Sequence, residues 1–405
     1  MDVALTDLDR FANGFPHDMF TALRRERPVW FHPPTPRTPG GEGFWVLSRH
    51  ADIVAAATDA ATFSSHTGGG RDGGGTLIED LPSGFAAGVL LNMMDDPRHR
   101  LIRRIVAPAV SPRMMRELDA ELRQRTAAIL DSVLARGRCD FLIEVAAELP
   151  LQAIAKLLGV PQADRHELFG WANATLDYDD RDLGAMSEKS AAAGAAMFAY
   201  GTRLIEEKRC EPGDDLLSAV VHGAVVDDAP MTELELQMFF NLLVHAGSET
   251  TRNSLAIGVL AFIERPAAWD RLRRDQTLLP LAVEEVLRWA SSTPYNRRTA
   301  TRDVALGGET IRAGEKVTLW WASANRDESV FAAPFELDVG RSPNPHLAFG
   351  HGSHFCLGAA LARLEIRVVL EALLARCARI ELAGAVEWTR SNKHTGLRHM
   401  PVRFT

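Results

Sequence analysis

A mainly α fold with a small β-rich part is predicted by three features of this sequence. Thr232 to Glu264 reads as one very long helix, opened by a Thr232/Glu235 capping box and closed by Pro266 just past its end. Pro112 to Lys208 is rich in alanine and leucine at helical spacing, which predicts several helices broken at Gly137, at Gly159-Val-Pro161 and around Asp177–Asp182. Strand signals, in contrast, are short and few.

Taken in order, Pro16 to Arg27 predicts a short amphipathic helix stopped by Pro28. Val29-Trp-Phe31 and Gly43 to Leu47 predict two strands around the proline-rich turn Pro33 to Pro39, and His50 to Ala57 resumes helical periodicity. Gly68 to Gly75 is the stretch with the greatest backbone freedom and, on composition, reads as an interdomain linker. In Asp95 to Arg104, Pro97 suits the first turn of a helix with an acidic residue before it as cap. His99 and Arg103, four apart, then share one face. Glu285 and Arg288 have the spacing of a helical ion pair, and Arg298 to Gly308 predicts strand and turn.

The 405 residues carry a formal net charge of −8, which argues against a general nucleic-acid binder and against wholesale attraction to anionic membranes. A chain of this size can bury a large core and enclose a cofactor. The first ten residues lack the apolar core of a signal peptide, and no apolar run is long enough to span a bilayer. Cys139, Cys210, Cys356 and Cys377 form no paired motif and suit a reducing cytoplasm.

Chemistry concentrates in Phe349-Gly-His-Gly-Ser-His-Phe-Cys-Leu-Gly358, followed by the helical pattern Ala359 to Arg367. Gly350, Gly352 and Gly358 permit tight turns, and a sulfur at a helix N-terminus is favoured as thiolate, the metal-binding form. One thiolate cannot hold a bare zinc, which takes four ligands. A metal already held in a macrocycle needs only an axial ligand, and haem is that case. A buried, inert cysteine in a turn is the alternative reading. The middle of the long helix, Ala246-Gly-Ser-Glu-Thr-Thr-Arg-Asn253, places an acid and three hydroxyls where apolar residues would pack. Thr250 can bond back to the Ala246 carbonyl, which predicts a widened helix and a groove.

These stretches together resemble the cytochrome P-450 family of haem-thiolate monooxygenases. The resemblance covers nearly the whole chain and implies a single domain, residues 1–405, with haem between the long central helix and the Cys356 loop. It implies haem b with Cys356 as axial thiolate ligand and Phe349, Gly350, Gly358 and Ala246 around the cofactor. His99, Arg103, Arg298 and His354 would reach the propionates, with Arg297 as the rival of Arg298. Glu249 and Thr250 would form the acid–alcohol pair that manages protons for O2 activation. Glu285, Arg288 and Arg341 would form a structural network, with Asn325-Arg-Asp327 in the same interval. Thr293, Tyr295 and Thr395 would line the substrate pocket, and the segment from Trp171 to Met197 would cover it. On this resemblance the Gly68 to Gly75 stretch becomes a hinged lid.

The function implied is insertion of one oxygen atom of O2 into a small hydrophobic molecule: a sterol, terpenoid or branched lipid. The chain carries no flavin, nicotinamide or iron–sulfur segment. Electrons from NAD(P)H are therefore expected through a ferredoxin and a ferredoxin reductase, docking on a basic face of Arg103, Arg104, Arg113 and Arg363. The alternative for that face is ordinary solvated charge. A monomer is expected. A peroxide-driven or isomerising haem-thiolate enzyme and a non-catalytic haem-binding protein are the alternatives, and the Glu249–Thr250 pair counts against both.

Overall fold

The computed structural model describes residues 3–68, 70–176, 187–226 and 229–405. The chain begins with helix α1 (His17–Glu26), strands β1 (Val29–His32) and β2 (Phe44–Leu47), helix α2 (His50–Thr58) and strand β3 (Phe63–Ser64). A run of helices follows: α3 (Arg98–Val106), α4 (Pro112–Leu134), α5 (Glu148–Leu158), α6 (Arg165–Leu176), α7 (Glu188–Cys210) and α8 (Leu216–His222). Strand β4 (Arg138–Asp140) interrupts it, and β5 (Ala224–Val226) and β6 (Ala229–Pro230) close it. Gly137 and Gly159 end their helices in the left-handed region, where glycine avoids the Cβ penalty. The expected break around Asp177–Asp182, and much of the expected cover from Trp171 to Met197, lie outside the described residues.

Helix α9 (Glu233–Glu264) is the longest element, and its capping box forms as the sequence predicts: Thr232 Oγ1 accepts from Glu235 N at 3.2 Å, and Thr232 N donates to the Glu235 carboxylate at 2.8 Å. Around its C-terminal half pack α4, α5, α10 (Pro266–Arg274), α11 (Leu279–Ala290) and α13 (Ala359–Arg376), with Leu255, Val259 and Phe262 buried among Val283, Val286, Leu370 and Leu373. Each such side chain fully buried is worth about 1.5–3 kcal/mol. Gly258 lets α11 approach, since a Cβ there would lie 2.5 Å from Val286 Cγ1. The N-terminal half of α9 belongs to a second core with α3 and α5 to α8, through Leu236, Phe239, Phe240 and Val244. Residues 245–254 of α9 belong to neither core.

The largest sheet has strand order β1-β2-β10-β7-β3, with β7 (Asn296–Ala300) and β10 (Lys316–Leu319) supplied by the C-terminal half. β2 runs parallel to β10, Trp45 opposite Val317, and β10 runs antiparallel to β7, Val317 opposite Arg298. β8 (Val304–Leu306) and β9 (Glu309–Ile311) form a hairpin beside it, and α12 (Trp321–Ala324) follows β10. Near the C-terminus, β14 (Pro401–Phe404) lies between β11 (Ile380–Leu382) and β4, while β12 (Glu387–Trp388) pairs with β13 (Leu397–His399). The described part of the glycine-rich stretch is tied to the sheet: Arg71 pairs with Glu42 at 2.5 Å and Asp80 at 2.5 Å.

Two local expectations change. Helix α3 starts at Arg98 rather than Pro97, and Asp96 caps it from outside by accepting from Arg100 N at 3.1 Å. Helix α9 is not widened: Thr250 Oγ1 donates to the Ala246 carbonyl at 2.9 Å while the helix stays α-helical throughout. That back-bond adds to the ladder instead of replacing a rung.

Candidate functional site

The Cys356 loop is folded by its own backbone. Gly350 N donates to the Leu347 carbonyl at 3.0 Å and Cys356 N to the Phe349 carbonyl at 2.9 Å. Gly350 and Gly352 have φ of 70° and 75°, and a Cβ on Gly352 would sit 2.3 Å from the Ala57 carbonyl oxygen. Gly358 is the N-cap of α13, so Cys356 lies just before the positive end of an eighteen-residue helix. Burial pushes the Cys356 thiol up, and the Gly358 amide with the charges of Arg103 and Arg363 pulls it back towards thiolate. The residue nonetheless keeps accessible surface, so protein surrounds the sulfur without covering it.

Beside the thiol, four cationic or hydrogen-bonding groups converge from three elements. His99 and Arg103 come from one face of α3, Arg298 from β7 and His354 from the loop itself. The His99 and His354 rings lie 4.0 Å apart, and His99 Nδ1 is 3.2 Å from Asp96 Oδ1. Burial, with Arg298, His99 and Arg103 around it, pushes His354 down to about 2. Burial also lowers Arg298 to about 10. Strand alternation separates the two arginine candidates: Arg297 turns to Asp80, 2.7 Å away, while Arg298 acts on His354.

Haem fits these residues on two observations. His99 Nε2 is buried with no hydrogen-bond partner, and neither Arg103 nor Arg298 has a carboxylate ion pair among the described residues. Buried donors without acceptors are costly, and an anionic group such as a propionate satisfies them. Secondly, a Cβ on Gly358 would meet nothing within 4 Å, and one on Gly350 only the His354 carbonyl at 3.9 Å. Neighbouring protein atoms leave open space at Gly358, room that a planar group beside the thiol would fill. Among the described residues no cluster of His, Cys, Asp and Glu could hold a bare metal ion, which suits a single thiolate and a macrocycle.

The polar centre of α9 brings together more than the sequence showed. Gly247 has a packing reason, since a Cβ would stand 2.8 Å from Ile154 Cδ1 of α5. Ala246 is exposed in the middle of this otherwise buried helix, on the face that carries Thr250. Glu249 is buried, 3.6 Å from Arg252 and 3.7 Å from His394. His394 sits in the loop after β12, and its link to Glu249 spans a sequence separation that periodicity cannot report. His245 Nδ1 is 2.6 Å from the Asn241 carbonyl, and its Nε2 is 2.6 Å from Thr175 Oγ1. Glu365 of α13 is a further residue missed in the sequence: burial pushes its carboxyl up to about 8, so it stays protonated at neutral pH, with Thr251 beside it.

The Glu285, Arg288 and Arg341 network forms as expected. Arg288 grips Glu285 at 2.7 and 2.8 Å, and Arg341 Nε reaches it at 3.1 Å. Arg288 also donates to the Asn325 carbonyl at 2.8 Å, and Asn325 Oδ1 accepts from Leu347 N at 2.6 Å, which ties the network to the cysteine loop. Burial raises the Glu285 carboxyl, but the Arg288 hydrogen bonds and both guanidinium charges hold it below its usual range.

Other expected residues separate. Tyr295 does not line the centre: it packs on Trp320, ring centroids 4.6 Å apart, in an aromatic cluster with Phe11 and Phe20, and its hydroxyl accepts from Ile78 N at 3.4 Å. A large apolar ring next to that cluster gains more by joining it. Thr395 is buried, its N donating to Ser292 O at 2.9 Å, and Thr293 is half-buried one residue further on. The four-arginine docking face is reduced. Arg113 is paired with Glu117 at 2.9 Å, Arg363 is held by Glu284 at 2.7 Å over the Phe349 ring, and Arg103 turns towards Cys356. Of the four, Arg104 stays exposed and has no salt bridge among the described residues. A groove of about 1130 Å3 bordered by Glu117, Glu121, Glu144 and Glu148 contains none of the site residues.

Residues 152–397 match the family model for cytochrome P-450. A cytochrome P-450 of Mycobacterium tuberculosis is 50% identical over 405 residues, covering 99% of this chain and 97% of that protein. The methyl-branched lipid omega-hydroxylase of Mycobacterium tuberculosis is 41% identical over 382 residues, covering 92% of this chain and 87% of the hydroxylase. Among solved structures, a Mycobacterium marinum cytochrome P-450 in complex with pseudoionone superposes with a TM-score of 0.91 at 35% identity, covering 100% of this chain and 99% of the other.

Proposed function

The chain belongs to the cytochrome P-450 family, an oxidoreductase family that uses a thiolate-ligated haem and O2, and on that premise we propose that it is a monooxygenase acting on a branched lipid, sterol or terpenoid. The observation that carries the reading is the convergence of His99, Arg103, Arg298 and His354 beside Cys356. The methyl-branched lipid hydroxylase among its relatives supports the substrate class.

Haem, when bound, would supply the redox chemistry of O2, tuned by the electron density of a thiolate ligand. The protein's part is to bind, orient and move protons. Cys356, held by the Gly350 and Gly352 turns, would supply the thiolate ligand. His99, Arg103, Arg298 and His354 would hold the propionates, and Phe349, Gly350, Gly358 and Ala246 would lie beside the macrocycle. Glu249 supplies a proton and the Thr250 hydroxyl orients it, a general-acid role that needs an acid and an alcohol one turn from Ala246. Thr293 and Thr395 border the substrate.

We further propose a single domain over residues 1–405 and a monomer. Electrons come from NAD(P)H through a ferredoxin and its reductase. Four cysteines free of disulfides support a cytoplasmic setting. No helix among the described residues is long and apolar enough to cross a membrane.

The ferrous–CO spectrum tests the core of this reading. The haem-loaded protein is expected to show the red-shifted Soret band of thiolate ligation, and Cys356→Ser to lose it. A Cys356→Ser protein that keeps the band moves the ligand to Cys139, Cys210 or Cys377 and sinks the assignment.

A further inference from the structure

The loop between β12 and β13 is fastened on both sides of one histidine. Asn392, fully buried, donates to the Leu5 carbonyl at 2.9 Å, and Lys393 pairs with Glu79. Thr395 N donates to Ser292 O at 2.9 Å, and Leu397 N donates to Asn253 Oδ1 of α9 at 3.3 Å. Gly396 makes that approach to α9 feasible, because a Cβ there would lie 2.5 Å from Asn253 Nδ2. His394 is therefore delivered to a fixed place. Its Nδ1 is buried and lies 3.7 Å from Glu249 Oε2, while the side chain as a whole keeps 21% of its surface accessible. Nδ1 faces the acid, and the side chain as a whole is not sealed by its neighbours.

We propose that His394 is a positioning residue that recharges Glu249 with protons, linking the centre of α9 to solvent through the loop after β12. The inference rests on the monooxygenase reading and names the route by which that site is supplied. When Glu249 gives its proton to the Thr250 side, its carboxylate takes the Nδ1 proton of His394. The N–H bond breaks, an O–H bond forms on Oε2, and the ring takes a replacement proton from solvent at Nε2. One proton enters, one leaves, and no electron moves. The 3.7 Å gap closes to hydrogen-bond distance, about 3 Å, by rotation of the ring or carboxylate.

The charged and titratable groups around His394 set its behaviour. Glu249, Arg252 and His245 face it from α9, and Lys393 adjoins it on the loop. Burial keeps the imidazole below its usual range, and Glu249 opposes that shift. A ring that is neutral at neutral pH passes a proton by exchanging tautomers and does not store charge in the interior. Arg252 carries a permanent charge and cannot substitute as carrier.

Two measurements test the proposal. In the haem-loaded enzyme with a surrogate ferredoxin and reductase, His394→Asn keeps a hydrogen-bond donor near Nδ1 but cannot carry a proton. Turnover is expected to fall about tenfold, with a larger solvent isotope effect and a displaced acid limb in the pH profile. Full activity in His394→Asn overturns the relay and leaves His394 as a hydrogen-bonding group. Gly396→Ala, which pushes the loop off α9 but retains the histidine, is expected to show the same isotope signature; a wild-type signature there overturns the proposal as well.

The second measurement does not involve turnover. In the diamagnetic ferrous–CO form with labelled histidine, the His394 pKa read by NMR is expected to fall by about one unit in Glu249→Gln. An unchanged value shows that the two groups do not communicate and removes the route. Failure of the monooxygenase reading looks different: the thiolate band or O2-dependent product is missing from the unaltered enzyme, whatever the NMR titration gives.

Discussion

Glu285 with Arg288 on α11, and Glu249 with Arg252 on α9, are both acid–guanidinium pairs three residues apart on buried helices. The first is closed: two short bonds join the pair, and Arg341, Asn344 and the amide of Asp338 take up the remaining carboxylate capacity. The second is loose. Its contact is 3.6 Å, and Arg252 Nε is buried without a hydrogen-bond partner among the described residues. Identical spacing thus gives a structural joint in one place and an adjustable group in the other. A buried carboxylate held by five donors is kept ionised and has no proton to pass on.

Breaking the closed pair is the largest test of that distinction. Arg288→Ala strips the buried Glu285 carboxylate of its closest partner, leaving Arg341, Asn344 and the Asp338 amide, and is expected to cost about 3 kcal/mol, a large part of the stability of a typical protein. Denaturant titration checks it, alongside Glu249→Gln, which is expected to shift stability by less than about 1 kcal/mol while turnover drops. Equal destabilisation by both would erase the contrast.

Next comes Glu284, the neighbour of the closed pair. Burial opposes ionisation, yet hydrogen bonds from His346 and Arg363 lower it to about 2. A depressed folded-state pKa contributes stability that is present above the unfolded value of 4.5 and is lost as pH falls towards about 2. About 2 kcal/mol is expected to disappear across that window, and Glu284→Gln to flatten it. An unchanged acid limb in Glu284→Gln refutes the assignment.

Thr250→Ala sharpens the loose side. Alanine is the better helix former, so stability is expected to hold. Product per NAD(P)H is expected to fall severalfold and hydrogen peroxide to rise; unchanged coupling leaves Thr250 as a residue that only back-bonds to Ala246. Smallest of all, Arg252→Lys is expected to move the melting temperature by no more than about 2 °C, while Arg288→Lys, which loses a two-pronged grip, is expected to move it several times further.

The sequence shows the closed pair better than the loose one. Short-range chemistry was readable: the Thr232/Glu235 box, the glycine breaks, the Cys356 loop and the Glu285–Arg288 spacing each depend on residues a few positions apart. Strand alternation was readable too, but only the fold shows that Arg298 and not Arg297 turns to His354. His394 was beyond reach because its meeting with Glu249 depends on how a loop near residue 394 is anchored to Leu5, Ser292 and Asn253 at once. Tyr295 misled because the aromatic cluster that claims it draws on residues near the N-terminus, far from it in sequence.

Strand β14 is central in its small sheet, hydrogen-bonded to β11 on one side and to β4 on the other. β4 is made early and β14 some 260 residues later. At about 5–20 residues per second, tens of seconds of synthesis separate them. Throughout that interval β4 has an open edge, and α9, once made, lacks the loop that reaches Glu249. The proposed proton route is therefore completed well after the helix it serves, and a chain halted between residues 264 and 394 holds that helix with the route unassembled.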